Sequence, residues 1–276
     1  EASFRMLSRL TSVTAHLRAK MAMAHIKLVR RISGGVPFPL WYWSFSRRLA
    51  AIVDSAPDSL FPPAASLLSR GELIHVEELK RLLDGDALGE WSLDADTIAL
   101  LWEILQREKP RLMVECGAGI STLVLARYAA AAFSKDDPCF VISLEQDLEV
   151  SRAVDARLRG VNLDRFVRVV HSPLDGNGNY GLDGFERTLA EIPRRAADFL
   201  LIDGPAGVSG CRLATLPALR EYCAERARWF LDDAFRDGEL RILAEWSRLP
   251  GVQVEGIYPV GKGLGGGWVR PLNRLD

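Results

Sequence analysis

The stretch RLMVECGAGISTLVLARYA, residues 111–129, decides how this chain is read. A short apolar strand over residues 112–114 ends in an acid, Glu115. A glycine turn follows, Gly117-Ala118-Gly119, and Ser121 and Thr122 open a helix. Neither glycine has a Cβ, so the backbone can approach a ligand closely and take φ > 0. Ser121 and Thr122 suit the start of a helix, whose free N–H groups and positive dipole end point into the same crevice. Such a turn at the carboxyl end of a parallel strand is a nucleotide-type site. A glycine-rich strand-to-helix turn with no ligand is the plainer alternative.

Spacing separates the ligands. A dinucleotide fingerprint needs a third small residue where Thr122 stands, and a phosphate-binding P-loop needs a lysine that this turn lacks. The pattern E-x-G-x-G-x-S-T, with Glu115, Gly117, Gly119, Ser121 and Thr122, instead resembles motif I of the class I S-adenosylmethionine-dependent methyltransferases.

Further segments fall in that family's order. Residues 140–144 (FVISL) read as a buried strand ending in Glu145, placed to accept ribose hydroxyls. Residues 166–170 read as a third strand, followed by His171-Ser172-Pro173. Residues 197–202 read as a fourth, ending in Asp203-Gly204-Pro205, and residues 228–231 as a fifth, ending in Asp232-Asp233. Helix-length segments lie between them at residues 148–159, 185–195 and 214–226, after a lead-in helix over residues 94–106. Residues 252–269 read as two antiparallel strands around a flexible loop of glycines, 261–267. The expected fold is α/β: a doubly wound, mostly parallel seven-stranded sheet with a C-terminal antiparallel hairpin, preceded by a helical N-terminal region.

The resemblance covers roughly residues 90–276 and is nearest to small-molecule or glycan O-methyltransferases. It implies S-adenosylmethionine as cofactor, held by Glu115, Cys116, Gly117, Ala118, Gly119, Ser121, Thr122, Glu145, Gln146, Ser172 and Asp203. It also implies a methyl acceptor that is a small molecule or a glycan. Trp91, before the lead-in helix, either touches the cofactor pocket or staples the helix. Neighbouring parallel strands would bring Asp203, Asp232 and Asp233 to one edge of the crevice, and oxygen ligands of that kind suit Mg²⁺ or another divalent cation. The trio resembles the metal site of the catechol and caffeoyl-CoA O-methyltransferases, with Asp233 in the place of an asparagine. Those relatives carry a Lys or His just after the fourth-strand acid, whereas here Gly204-Pro205-Ala206-Gly207 follows. The candidate bases are therefore Asp203, Asp233 and His171. Arg212 and Arg236 either pair with the acids or hold an anionic substrate.

Composition fits a globular enzyme. Of 276 residues, 48% are hydrophobic and 26% charged, enough for one large core and an appendage. No eighteen-residue apolar run is present. The four cysteines show no C-x-x-C pair, which suits reduced thiols in the cytoplasm. The chain begins at Glu1, which leaves an upstream segment open.

Net charge is −1, unevenly spread. Residues 1–50 hold nine basic residues and one acid, leaving 26 basic and 35 acidic residues elsewhere. Met6, Leu10, Val13, Leu17, Met21, Ala24 and Leu28 form one apolar stripe of helical period, with Arg5, Arg9, Lys20, Lys27 and Arg31 on an adjoining face. An aromatic segment follows at residues 36–45. Residues 1–90 are thus expected to be a helical region apart from a methyltransferase domain at 91–276. The basic helix suits a homo-oligomer contact, peripheral attachment to an anionic membrane, or a lid over the acceptor. Nucleic acid is not an expected partner, because the remainder is acidic. Two rival functions stay open: a nicotinamide-dependent oxidoreductase on a similar sheet, and a non-catalytic binding module recruited by the basic helix.

Overall fold

The computed structural model describes residues 93–272, apart from 94, 208, 209, 235, 259 and 261. The expected basic helix, aromatic segment and connector of residues 1–90, with their oligomer and membrane roles, and Trp91 lie outside the described residues.

The described elements run α1 (Ala95–Glu108), β1 (Leu112–Cys116), α2 (Ile120–Ala132), β2 (Phe140–Glu145), α3 (Leu148–Gly160), β3 (Val167–His171), α4 (Asp183–Glu191) and β4 (Ala197–Ile202). They continue with α5 (Thr215–Leu219), β5 (Cys223–Leu231), α6 (Asp237–Trp246), β6 (Val252–Tyr258) and β7 (Leu264–Val269). The seven strands form one sheet in the order β3-β2-β1-β4-β5-β7-β6. The first five pair in parallel, and β7 enters antiparallel between β5 and β6. This is the expected doubly wound sheet with its C-terminal hairpin.

Strand residues alternate between the two faces, so a sheet covered on both sides needs near-continuous apolar runs. In β4, Phe199 and Leu201 join one core cluster, with Ile98, Ile104 and Val124 of the helices. Leu200 and Ile202 join the opposite one, with Phe185, Leu189, Trp229 and Trp246. Arg228 of β5 is a buried cation within the sheet, paired with Glu255 at 2.5 Å and with the Tyr258 hydroxyl at 3.1 Å. That pairing compensates a cation that is only 3% exposed.

Helix starts and stops follow local chemistry. The Asp147 carboxylate caps α3, accepting the N–H groups of Glu149 and Val150. The α4 helix ends at Glu191 rather than at residue 195, because Ile192 precedes Pro193 and is held extended.

Two expectations are corrected. The helix read over residues 214–226 is one short turn, and residues 223–227 belong to β5. Leu216, Leu219 and Cys223 are buried as a helical stripe would require. However, pairing of Cys223 with Ala197 and of Ala227 with Val269 draws the chain into the sheet, so tertiary context overrides propensity. The glycine run of the hairpin is not a flexible loop. Gly265, Gly266 and Gly267 lie inside β7, where side chains of Leu243, Tyr258, Phe230 and Trp229 fill the space a Cβ would take. Helix α6 was not anticipated.

Candidate functional site

The chain winds outward from β1 to β3 on one side and restarts at β4 on the other. The crevice at this switch point, beyond the carboxyl ends of β1 and β4, is where open α/β sheets bind ligands. It has a volume of about 410 Å³, in the range of small-molecule sites.

The glycine turn forms its floor. Gly117 has φ +94, and a Cβ there would lie 3.1 Å from the Gly204 nitrogen, so glycine is required. Its N–H donates to Leu144 O at 2.8 Å, and the Cys116 carbonyl accepts from Asp203 N at 2.9 Å and Gly204 N at 2.6 Å. These bonds tie the ends of β1, β2 and β4 together. Gly119 has no atom within 4 Å of a hypothetical Cβ, which leaves an open cradle at the start of α2.

Of the residues read as cofactor contacts, Gly117, Ala118, Gly119, Ser121, Glu145, Gln146 and Asp203 line the crevice. Glu145, at the end of β2, accepts from Ala118 N at 2.9 Å and Asp147 N at 2.8 Å. The Gln146 amide closes one wall by pairing with both backbone groups of Ala206, at 2.8 and 3.2 Å.

Glu115, Cys116, Thr122 and Ser172 do not line it. Glu115 lies inside β1 with no exposure. Its Oε2 accepts the hydroxyls of Thr122 and Ser143, both at 2.6 Å, and Thr122 Oγ1 in turn accepts Gly119 N–H at 2.9 Å. Glu115 therefore supports the turn from beneath. Burial pushes its carboxyl up to about 7. Ser172 is buried, its N–H spent on Glu145 O at 2.7 Å. His171 is exposed at the end of β3 and is not brought to the acids.

Asp203, Asp232 and Asp233 do converge, with one oxygen of each within 4.8 Å of the others. Asp233 sits in the left-handed region at φ 59, where aspartate is among the better-tolerated residues. Arg212 lies against the trio: Nη2 reaches Asp203 Oδ1 at 3.2 Å and Asp233 Oδ2 at 3.3 Å, while Nη1 donates to Asp232 O at 3.0 Å. Arg236 meets Asp233 Oδ2 at 2.7 Å and Lys262 lies 3.6 Å from Oδ1. Of the two roles open to Arg212 and Arg236, the structure shows acid pairing. Burial, reinforced by the charges of Asp203 and Asp233, holds the Asp232 carboxyl well above the usual carboxylate range. Burial also raises Asp203, against the lowering effect of Arg212.

Glu239 and Tyr180 are among the contributors to this pocket that went unread in the sequence. Glu239, 4.0 Å from Arg212, lies on the unanticipated α6. Tyr180 carries a buried hydroxyl without a partner and stands against Gly204; no motif surrounds it.

No protein family model and no curated protein matches the chain. Solved structures do. One is the O-methyltransferase TomG from Streptomyces achromogenes, involved in tomaymycin synthesis and in complex with SAM. It is 16% identical, with 75% of this chain and 93% of that one covered and a TM-score of 0.50. Another is cofactor-bound Rv0187 from MTB, 18% identical, with 75% and 94% covered and a TM-score of 0.50. The described sheet and its helices share the fold of these two solved structures. At this identity the likeness is one of fold, and the chemistry has to be argued from the crevice. Among the described residues, no helix is long and apolar enough to cross a membrane.

Proposed function

We propose that this protein is an S-adenosylmethionine-dependent methyltransferase acting on a hydroxyl of a small molecule or sugar. The observation that carries this is the placement of Glu145 and the Asp203 cluster in one crevice, on either side of a bare glycine turn. Glu145 uses one backbone N–H on each oxygen, which leaves lone pairs for the two ribose hydroxyls. The open space at Gly119 and the N-terminus of α2 suit the close approach of the cofactor.

The cofactor supplies an electrophilic methyl group on a sulfonium. The protein supplies alignment and a place for the acceptor's proton. Asp203 is the base best placed, since its side chain is 21% exposed in the crevice while that of Asp233 is 4% exposed and held by three cations.

Calorimetric titration of the full chain with S-adenosylhomocysteine and with NAD tests the cofactor. Binding of S-adenosylhomocysteine is expected, and tighter binding of NAD would overturn it in favour of hydride transfer. A panel of hydroxylated acceptors with radiolabelled methyl donor then tests the reaction, with Asp203→Asn expected to lose transfer while staying folded by circular dichroism.

A further inference from the structure

We propose that the guanidinium of Arg212 is the built-in cation of this acid cluster, and that Asp203, Asp232 and Asp233 take no divalent metal ion. The catalytic meaning of this rests on the methyl-transfer reading. The cation assignment rests on geometry alone.

A metal ion needs several carboxylate oxygens free to replace its water. Here Asp203 Oδ1 and Asp233 Oδ2 already meet a guanidinium, and Asp233 Oδ1 lies 3.6 Å from the Lys262 ammonium. Arg212 comes from the segment after β4, its side chain is 7% exposed, and it touches all three residues: the Asp203 and Asp233 carboxylates by Nη2 and the Asp232 carbonyl by Nη1. Asp233 Oδ2 is shared between Arg212 and Arg236, and its Oδ1 faces Lys262. Glu239 closes the far side of the guanidinium at 4.0 Å. Four acids and three positive side chains thus share the cluster. A divalent ion would turn a nearly balanced cluster positive. An arginine cannot lose its proton to make room, unlike a lysine.

Arg212 also lines the crevice, so its charge is available where the acceptor oxygen develops negative charge. Methyl transfer then needs no added ion. The carbon–sulfur pair stays on sulfur, the acceptor oxygen bonds the methyl carbon, and the acceptor's proton passes to Asp203.

The test is titration of the full chain with Mn²⁺, followed by electron paramagnetic resonance, for wild type and Arg212→Met. Wild type is expected to bind no Mn²⁺ at the cluster up to millimolar concentration, and to keep its melting temperature in EDTA. Arg212→Met is expected to bind one Mn²⁺ at least tenfold more tightly, to gain thermal stability from it, and to lose it when Asp232→Asn is added. Wild-type binding of Mn²⁺ that Asp232→Asn removes would overturn the proposal. So would a folded Arg212→Met chain that binds no more Mn²⁺ than wild type. If that variant does not fold, Arg212→Gln replaces it, and the wild-type titration decides by itself if neither folds. Titration with S-adenosylhomocysteine reports separately on the methyltransferase reading, so the two fail independently.

Discussion

Replacing Glu115 by glutamine should make the protein more stable in a pH-dependent way. The carboxyl lies inside β1 with no exposure; Oε2 accepts two hydroxyls and Oε1 has no partner. Burial raises it from 4.5 to about 7. The folded state thus holds a proton that the unfolded state releases. This stability is fully present below about pH 4.5 and is lost as pH rises through about 7. At 1.36 kcal/mol per pKa unit the whole loss is about 3 kcal/mol, of which roughly 2–3 kcal/mol falls between pH 5 and pH 8. Glutamine keeps the acceptor for Thr122 and Ser143 and never ionises, so Glu115→Gln escapes this loss. The two chains should melt close together near pH 5. By pH 8 the variant should lead by roughly 5–10 °C, at about 2–4 °C per kcal/mol. Circular dichroism melts at both pH values read the gap. A gap that does not change with pH would refute a strained buried carboxyl. Because Glu115 sits beneath the turn, the variant should also bind S-adenosylhomocysteine within a few-fold of wild type.

Glu145→Ala should weaken S-adenosylhomocysteine binding by about 1.5–3 kcal/mol in calorimetry, the range for lost charge-assisted hydrogen bonds; unchanged affinity would remove Glu145 from the cofactor site. Gly204→Ala should destabilise by about 1–3 kcal/mol, because its Cβ would land on the Tyr180 hydroxyl. Tyr180→Phe should recover part of that in urea unfolding, and purely additive effects would show that the hydroxyl is not the obstacle. Gly267→Ala should cost more, since its Cβ would strike the Gln253 carbonyl and the Trp229 ring within the β6–β7 pairing. A melting temperature equal to wild type would contradict that packing.

The sequence by itself determined the order of the strands, most of the helices and the position of the crevice. Apolar runs bounded by acids and glycines are local signals, and βα alternation leaves few topologies to choose from. Gly117, Glu145, Asp203 and the Asp232-Asp233 pair were legible for that reason, each standing at the end of a strand. The tertiary structure decided which of these side chains face outward. Glu115 and Glu145 look alike in sequence, as acids closing apolar strands. One lies within its strand beneath the hydroxyls of Thr122 and Ser143; the other reaches the crevice. Residues 223–227 carry helical spacing, and long-range pairing with Ala197 and Val269 makes them strand. Arg212 stands nine positions beyond Asp203 in a segment with no motif, so its partners were open in sequence. Packing of the segment after β4 against the end of β5 buries its guanidinium among Asp203, Asp233 and Glu239. The partners of a buried charge are set by what surrounds it in space, and strand order alone does not supply them.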